Sequence, residues 1–417
     1  MEKYKLTKKN ITFVINYFYP DLASTGQLMT DLCFELQDEF NITVIAGQPT
    51  YTGEDIKAKN ILTYDKLENI KIIRIKLPTV NKNSKFSRIR YIFYYFILAI
   101  YALLKEKDID VIYSISQPPI LGGLLGTIGK ILKNSKHVYN IQDFNPEQAA
   151  AINYTNQKFI FSLAKKIDKI NCKLADHVVL VGQDMSETLK RRFITGKLPD
   201  YSVINNWTNE QEIIPLEKSN KDVSEFIIRN NLEDKFIVMY SGNLGLFYDL
   251  ENIIKITKEF RYDKDIVFLF IGEGAVKREM MEFVEKNHLF NVIFLPYQPK
   301  NFIKYSLNVA DVHLVVNQKG IKGVSVPSKI YGVMAAGKPI LGVLEEGSEA
   351  HFLIKKSESG VVVEPQNYNE IVNAIRYFYC LDKKEIKDMG SKGREYLENN
   401  LKKEISINKY KKLLYKI

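Results

Sequence analysis

The chain has 417 residues, 46% of them hydrophobic and 26% charged, and it contains no low-complexity tract. A single hydrophobic core rarely grows beyond about 250–300 residues, so this length predicts two domains. Lys and Arg number 59 against 49 Asp and Glu, which gives a formal net charge of +10. That excess favours an anionic partner, although a lysine-rich solvated surface explains it equally well.

The cysteines and the N-terminus favour a reduced, cytoplasmic protein. Cys33, Cys172 and Cys380 lie far apart and have neither a CxxC pair nor the spacing of a disulfide framework. Residues 1–5 are basic, but a strand-like segment follows them instead of the apolar stretch of a signal peptide. No set of His, Cys, Asp or Glu has metal-ligand spacing, so we expect no metal site.

In the first half of the chain, short apolar runs alternate with segments of helical periodicity. This alternation predicts a parallel sheet built from βαβ units, and the continuous apolar character of the strands indicates that helices cover both faces. The predicted strands are Ile11–Asn16, Ile42–Gly47, Ile70–Lys76, Val111–Ser116, His137–Ile141 and His177–Val181. The predicted helices are Gln27–Glu39, Ser87–Lys105, Ile120–Leu132, Gln157–Leu174 and Asp184–Phe193.

After the polar, turn-rich stretch Asn205–Asn209 the same alternation starts again. We therefore predict an α/β protein with two Rossmann-like, doubly wound domains that face a central cleft, residues 1–205 and 206–399. A helix over 400–417 is expected to pack back on the first domain. The second set of predicted strands is Phe236–Ser241, Ile266–Ile271, Val292–Leu295, Val312–Val316, Pro339–Val343 and Gly360–Val363. The main helices predicted between them are Leu250–Phe260, Val276–Lys286, Phe302–Leu307, Ser328–Ala336, Ala350–Lys356 and Asn367–Tyr379.

Residues 82–105, KNSKFSRIRYIFYYFILAIYALLK, have the composition of a helix that lies in a membrane surface. The apolar stretch Tyr91–Leu104 has 14 residues, fewer than the roughly 20 needed to span a bilayer. Basic residues followed by aromatic ones suit anionic headgroups and the lipid boundary, although a buried core helix remains an alternative. The residues expected to contact the membrane are Lys85, Arg88, Arg90, Tyr91, Phe93 and Tyr94.

Two glycine-containing loops of the second half suit a diphosphate. Gly242 and Gly245 follow a strand and are separated by two residues, which lets a backbone approach phosphate closely. Ser328 and Lys329 begin a helix, where the free N–H groups favour anions. A lysine is unfavourable at that end of a helix unless a phosphate is also bound there. This conflict points to an anionic ligand more specifically than the net charge does.

Two carboxylates follow the predicted strand His137–Ile141. Asp143 and Glu147 lie at its carboxyl end, where parallel sheets bind their ligands, and either could accept a proton from an acceptor hydroxyl. A helix N-cap is the alternative role for Asp143. The first βα loop, which ends at Gly26, suits an anionic ligand but is also compatible with an ordinary connection.

Together these segments resemble the retaining glycosyltransferases of family four, which have the GT-B fold. The resemblance covers nearly the whole chain and is nearest to bacterial enzymes of O-antigen, colanic acid and capsule assembly, such as N-acetyl-fucosaminyl transferases. It implies a nucleotide-sugar donor held mainly by the second domain, a lipid-linked acceptor approaching the first domain, and no obligatory metal or other cofactor. The motifs that carry it are FVINYFYPDLASTGQ, QDFNPE, VINNW, YSGNLG, FIGEGAVK and VPSKIYGVMAAGKPIL.

The resemblance also implies roles for individual residues. Asp143 corresponds to an acceptor-side polar group near the reacting centre. The residues implied at the donor diphosphate or nucleotide are Gly26, Gly242, Asn243, Gly245, Glu273, Ser328 and Lys329.

Three positions depart from the family pattern. Asn243 stands where the family has Arg, and Val324 and Gly332 stand where it has two glutamates. Ribose binding by the second of those glutamates is therefore not possible here. We expect Lys329 to supply the missing charge and Glu349 to take over the ribose.

The expected function is retaining transfer of a sugar, such as N-acetyl-fucosamine, from a UDP-sugar to a polyprenyl-diphosphate-linked saccharide. The reaction would serve capsule or O-antigen synthesis at the inner face of an anionic membrane, with no nucleic-acid partner. Two alternatives stay open. A nucleotide-sugar epimerase of the same fold would need acid and base groups in the cleft. A non-catalytic sugar-nucleotide-binding partner of an assembly complex is compatible with the missing glutamates.

Overall fold

The computed structural model describes residues 8–21, 23–49, 60–80, 84–151 and 158–417. Residues 1–5, on which the signal-peptide expectation rests, and Lys82 of the basic segment lie outside the described residues.

The first domain is an eight-stranded sheet with helices on both faces. Its strands are β1 (Asn10–Val14), β2 (Asn41–Gly47), β3 (Leu62–Leu67), β4 (Ile70–Ile75), β5 (Val111–Ile115), β6 (Lys136–Ile141), β7 (His177–Leu180) and β8 (Tyr201–Val203). Its helices are α1 (Ser24–Leu36), α2 (Lys85–Lys105), α3 (Leu121–Lys133), α4 (Glu147–Ala151), α5 (Lys158–Leu174) and α6 (Met185–Arg192). The strand order is β3-β4-β2-β1-β5-β6-β7-β8, and only the β3–β4 pair is antiparallel among the described strands.

The second domain is a six-stranded parallel sheet in the order β11-β10-β9-β12-β13-β14. These strands are β9 (Phe236–Ser241), β10 (Ile266–Ile271), β11 (Val292–Leu295), β12 (Val312–Val316), β13 (Ile340–Val343) and β14 (Gly360–Val363). The helices that follow α6 are α7 (Lys221–Arg229), α8 (Leu250–Ile253), α9 (Lys277–Lys286), α10 (Ile303–Asn308), α11 (Lys329–Ala335), α12 (Glu349–Ser357), α13 (Tyr368–Cys380), α14 (Lys383–Asn400) and α15 (Lys403–Lys416).

The predicted α/β class is confirmed, and all twelve predicted strands are present. The prediction missed β3 and β8. The strand β3 lies at a sheet edge, and its charged, exposed centre lacks the apolar pattern of the inner strands. The strand β8 has only three residues, too few to show any periodicity.

One predicted helix has a different form in the structure. The segment predicted as a helix over Leu250–Phe260 is helical only as far as Ile253, and a 3₁₀ segment, Ile254–Phe260, completes it. The hydroxyl of Thr257 donates to the carbonyl of Ile254 at 2.8 Å. Such side-chain bonding and the run of β-branched residues both lower the preference for a regular α-helix.

The last helix returns to the first domain. α15 buries Ile407, Tyr410 and Leu414 in the core that lines the α1 face of the first sheet. Asn140 of β6 donates to the hydroxyl of Tyr410 at 2.8 Å, and the ring of Trp207 meets that of Tyr410 edge-on. α15 is therefore part of the first domain's core, although it is the last element of the chain.

We predict that Tyr410→Ala destabilises the first domain by about 3–5 kcal/mol, because it leaves a cavity and removes one of the two hydrogen-bond partners of the Asn140 amide. The free energy of urea unfolding measures the effect. Lys412→Ala, an exposed change on the same helix, should stay within about 0.5 kcal/mol of the unmodified protein. Equal effects of the two changes would contradict this role for α15.

Candidate functional site

The two domains join through loops at the carboxyl ends of their strands. The N–H of Phe144, after β6, donates to the carbonyl of Val324, before α11, at 2.8 Å. Asp143 and Ser325 form an antiparallel backbone bridge next to this bond. The pairing holds the loop with the predicted catalytic carboxylate against the loop that leads into α11.

Asp143 is a partly buried carboxylate at this junction. Gln148 donates to its Oδ1 at 3.0 Å, and its own N–H donates to the hydroxyl of Ser116 at 3.2 Å. Burial raises the pKa of Asp143 to about 6, although hydrogen bonds from Ser325 and Gln148 favour the ionised form. The group can therefore change its ionisation near neutral pH, as a catalytic carboxylate requires.

Lys329 lies beside the glycine loop that follows β9. A Cβ atom placed on Gly242 would lie 3.1 Å from Cε of Lys329, so the lysine side chain passes directly over this glycine. Its Nζ atom lies 4.3 Å from the ring centroid of Tyr240 and 4.0 Å from that of Tyr248. The two rings attract the ammonium through their electron-rich faces.

The ammonium of Lys329 is held without an ion-pair partner. Its Nζ donates to the hydroxyl of Tyr240 at 2.7 Å, and that hydroxyl donates to the carbonyl of Asn243 at 2.7 Å. No carboxylate lies within ion-pair distance of this nitrogen among the described residues. Burial lowers the pKa of Lys329 to about 7, so an anion bound here would restore the charge that burial disfavours.

Glycines allow the loop after β9 and the loop after β10 to touch. Gly242 has φ +144° and Gly272, after β10, has φ +143°. A Cβ atom on Gly272 would lie 1.9 Å from the carbonyl oxygen of Gly242, which excludes any side chain there. The N–H of Leu244 then donates to the carbonyl of Glu273 at 2.9 Å.

The structure brings several other predicted donor residues to this region. Asn243 is exposed and its amide lies against Gly245, while the Glu273 carboxylate pairs with Lys277 at 2.6 Å. Ser328 is exposed and precedes α11, as predicted, but its side chain does not cap the helix.

Gly26 lies in the first turn of α1. Its contacts run to Tyr17 and Thr30 of the same domain. The described contacts thus do not connect it to the loops of the second domain, and its predicted place at the diphosphate stays a prediction.

The expectation that Glu349 binds the ribose needs correction. Its carboxylate is buried and accepts from the N–H of Gln183 at 2.7 Å and from the amide of Asn205 at 2.8 Å. Both partners belong to the first domain, so Glu349 joins the two domains. Burial raises its pKa, and removal of these donors would leave a buried carboxylate unsatisfied.

The assignment of Glu147 as a catalytic candidate also needs correction. Arg192, at the end of α6, donates to Glu147 at 2.5 Å, pairs with Asp168 of α5 and donates to the carbonyl of Asn145 at 3.1 Å. Burial alone would raise the pKa of Glu147, but the bond to Arg192 lowers it below its ordinary value. Glu147 therefore anchors the segment that carries Asp143, and its ion pair with Arg192 makes it a poor proton acceptor.

The predicted membrane residues divide into two groups. Arg88, Arg90, Phe93 and Tyr94 are exposed on α2. Tyr91 is buried, and its hydroxyl donates to Asn16 at 3.3 Å, so its assignment to the membrane surface is corrected. The side chain of Lys85 lies outside the described part of the structure.

One side of helix α2 packs on the first domain, and the other side is exposed. Tyr95, Ala99 and Leu103 are buried against the first sheet, while the opposite stripe is open. By length and composition alone, α2 is also the single helix in the described ranges that could cross a membrane. Its buried stripe shows that it packs on the domain in this structure.

Sequence reasoning missed the tyrosine pair around Lys329 and the Arg192 cluster. Tyr240 and Tyr248 flank the glycine loop in the sequence, and two aromatic residues beside a loop that suits phosphate were the available signal. Nothing in the sequence pattern links Arg192 with Asp168 and Glu147, because their proximity depends on the tertiary fold.

The described residues contain no group of three or more His, Cys, Asp or Glu that could hold a metal ion. The arrangement at the domain junction includes the Lys329 ammonium, two close glycine loops and the Asp143 carboxylate, whose pKa is raised. It suits binding of a diphosphate on the second domain with a hydroxyl-bearing partner held by the first.

Residues 222–396 match the family model for Glycosyl transferases group 1. This part of the chain therefore has the group 1 glycosyltransferase pattern, and the two facing Rossmann-like sheets give the chain the GT-B fold.

The names of two relatives agree with this class, and a solved structure agrees with the fold. The chain is 27% identical over 406 residues, 96% of each protein, to Probable glycosyltransferase WbjE of Pseudomonas aeruginosa. It is 24% identical over 286 residues, 67% of each protein, to the WcaI glycosyl transferase of Escherichia coli K12, which is named for colanic acid biosynthesis. The structure of HepE from Anabaena in complex with UDP and glucose superposes with a TM-score of 0.72 at 13% identity, covering 98% of this chain and 99% of HepE.

We predict that Arg192→Met destabilises the protein by about 3–5 kcal/mol, because it leaves two carboxylates without their buried partner. Arg191→Met is the matched control, since its exposed guanidinium bonds only to Thr188 among the described residues, and it should cost less than about 1 kcal/mol. Urea unfolding monitored by circular dichroism measures both. A loss for Arg192→Met no larger than that of the control would refute the anchoring role.

Proposed function

We propose that this protein is a retaining glycosyltransferase that moves a sugar from a UDP-sugar to a polyprenyl-diphosphate-linked saccharide. The observation that carries the proposal is the ammonium of Lys329, held over Gly242 without a carboxylate partner among the described residues. A group 1 glycosyltransferase pattern over residues 222–396 supports the reaction class. The UDP complex of HepE supports uridine as the nucleoside of the donor.

The donor diphosphate would lie against the loop Gly242–Gly245, within reach of Lys329. As the bond between sugar and phosphate breaks, negative charge grows on the leaving diphosphate. A fixed ammonium and backbone N–H groups stabilise that charge without reorganising during the reaction. Because Asn243 replaces the family's arginine, Lys329 becomes the main cation of this site.

Asp143 would act on the acceptor. It follows β6 on the first domain and bridges to Ser325, close to the start of α11. Its ionised carboxylate would accept a hydrogen bond from a second hydroxyl of the acceptor and so hold the attacking oxygen near the anomeric carbon. The departing phosphate would take the proton, so that attack occurs on the face that the diphosphate leaves.

The exposed stripe of α2 supports a lipid-linked acceptor. Phe93 is 61% exposed and Tyr94 is 49% exposed, beside the exposed Arg88 and Arg90. Aromatic rings and arginines at one helix end suit the boundary of an anionic membrane. We place the protein in the cytoplasm, bound peripherally to the inner face of the membrane.

The similarity to WbjE and WcaI supports a role in bacterial surface polysaccharide synthesis. Within that class we propose capsule or O-antigen assembly and an N-acetylamino sugar, such as N-acetyl-fucosamine, as the transferred group. A panel of UDP-sugars, each tested for transfer to a lipid-linked acceptor, would identify the transferred sugar.

The main test is transfer of labelled sugar to polyprenyl-diphosphate saccharide in vesicles. We expect Lys329→Met to lower kcat/KM by about 10²–10³-fold, because a fixed donor to the leaving group is lost. Lys338→Met removes a second lysine whose pKa burial lowers, at the far end of α11, and should leave transfer nearly unchanged.

Three outcomes would contradict the proposal. Transfer by Lys329→Met at the rate of the unmodified protein would contradict the assignment of Lys329 to the donor diphosphate. Conversion of the UDP-sugar to an epimer without any acceptor would indicate an epimerase. UDP binding with neither transfer nor hydrolysis for any donor would indicate a non-catalytic partner.

The raised pKa of Asp143 predicts a pH dependence. Its ionised fraction grows as the pH rises through about 6, so kcat/KM should increase over that range and then fall as the pH rises through about 7, where Lys329 of the free enzyme loses its proton. Asp143→Asn should lower the rate and remove the rise of kcat/KM near pH 6, whereas Glu147→Gln should keep that rise. A profile of Asp143→Asn that retains the same rise would exclude the carboxylate as its origin.

A further inference from the structure

Helices α2, α3 and α5 lie side by side on one face of the first sheet. α3 is the middle helix of the three. Its Lys133 donates to the carbonyl of Leu104 at the end of α2 at 2.9 Å, and its Lys130 donates to the carbonyl of Leu174 at the end of α5 at 2.8 Å. The outer sides of the three helices, here called the basic helical face, therefore form one surface.

The basic helical face carries an excess of positive charge, although Lys130 pairs with Asp176 at 2.7 Å and Lys165 with Glu147 at 3.5 Å. The three helices contain eleven Lys and Arg residues and a single carboxylate, Asp168. Asp168 is buried at 1% exposure and pairs with Arg192, so it adds no negative charge to the outside. The basic residues are Lys85, Arg88, Arg90, Lys105, Lys130, Lys133, Lys158, Lys165, Lys166, Lys169 and Lys173.

The same face also exposes large apolar side chains on α5. Phe159 is 79% exposed, Ile160 53% and Leu163 48%, all within the first two turns of the helix. On α2 the most exposed apolar residue is Phe86, at 76%. Exposed apolar groups concentrated on one side of a protein indicate a contact surface for a partner or a membrane.

We infer that α5 is a second membrane-contact helix, which docks on an anionic lipid surface together with α2. The excess of positive charge on these helices complements anionic headgroups, while Phe159 and Leu163 reach the acyl boundary. A second copy of this chain fits poorly, because two such faces would repel each other across a symmetric interface. The inference rests on the proposed function only for the identity of the membrane-bound acceptor.

Two contact helices would fix how the cleft faces the membrane. A protein held by α2 alone could rotate about that helix axis, whereas contact along α2 and α5 defines a plane. α5 also connects to the reaction centre, because Asp168 and Glu147 share Arg192 next to the Asp143 loop. Docking of α5 would therefore hold the acceptor side of the cleft at a defined height above the lipid.

Vesicle flotation with the full chain tests the inference. The α5 variant carries Phe159→Ser and Leu163→Ser, the α2 variant carries Phe86→Ser and Phe93→Ser, and the control carries Tyr262→Ser and Phe290→Ser on the second domain, where both rings are at least 88% exposed. On vesicles of phosphatidylglycerol and phosphatidylcholine, we expect the α5 and α2 variants each to bind about tenfold or more weakly, and the control to bind normally. Binding should fall to near zero on phosphatidylcholine alone.

Transfer to a soluble short-chain acceptor runs in parallel and should be unchanged in the α5 variant. Normal flotation of the α5 variant, equal binding to neutral vesicles, or loss of soluble transfer in that variant would each overturn the inference. The inference would also be overturned if the unmodified chain did not bind vesicles but sedimented as a dimer, and the α5 changes dissociated that dimer. If the unmodified chain floats with vesicles in an α5-dependent way but transfers no sugar, the proposed function is rejected and the membrane contact of α5 is supported.

Discussion

A lysine ammonium held without a carboxylate partner is the constraint on which the donor site depends. Charged groups seldom lose water without a compensating opposite charge. For Lys329, the compensation within the described structure comes from the hydroxyl of Tyr240 and the faces of two tyrosine rings, which lower the cost without neutralising the charge. A diphosphate on the Gly242 loop is the partner that would complete this environment.

In the proposed function, the domain junction lets the donor site serve two substrates. The backbone pairing of Asp143 and Phe144 with Val324 and Ser325 brings a first-domain carboxylate to the loop that leads into α11. Glu349 adds a second contact between the domains through its hydrogen bonds with Gln183 and Asn205. In the proposed function, donor binding and acceptor positioning therefore depend on neighbouring loops at the carboxyl ends of β6, β9 and β12.

The sequence predicted whatever depends on local pattern. Continuous apolar runs such as Ile266–Ile271 defined the inner strands, and the conflict between Lys329 and the helix dipole indicated an anion site. The role of Glu147 was not predictable, because its partner Arg192 is distant in the chain and meets it only through tertiary packing. Tyr248 was missed although it flanks the glycine loop in the sequence, because only the tertiary fold brings its ring to Lys329 of α11.

The most direct test is an NMR titration of the Lys329 side chain with and without UDP. We expect a pKa of about 7 in the free protein, because the ammonium is buried among aromatic rings. UDP should raise that pKa by at least about one unit, because an adjacent anion stabilises the charged form. A pKa near the ordinary lysine value that does not respond to UDP would contradict the assignment of Lys329 to the donor diphosphate.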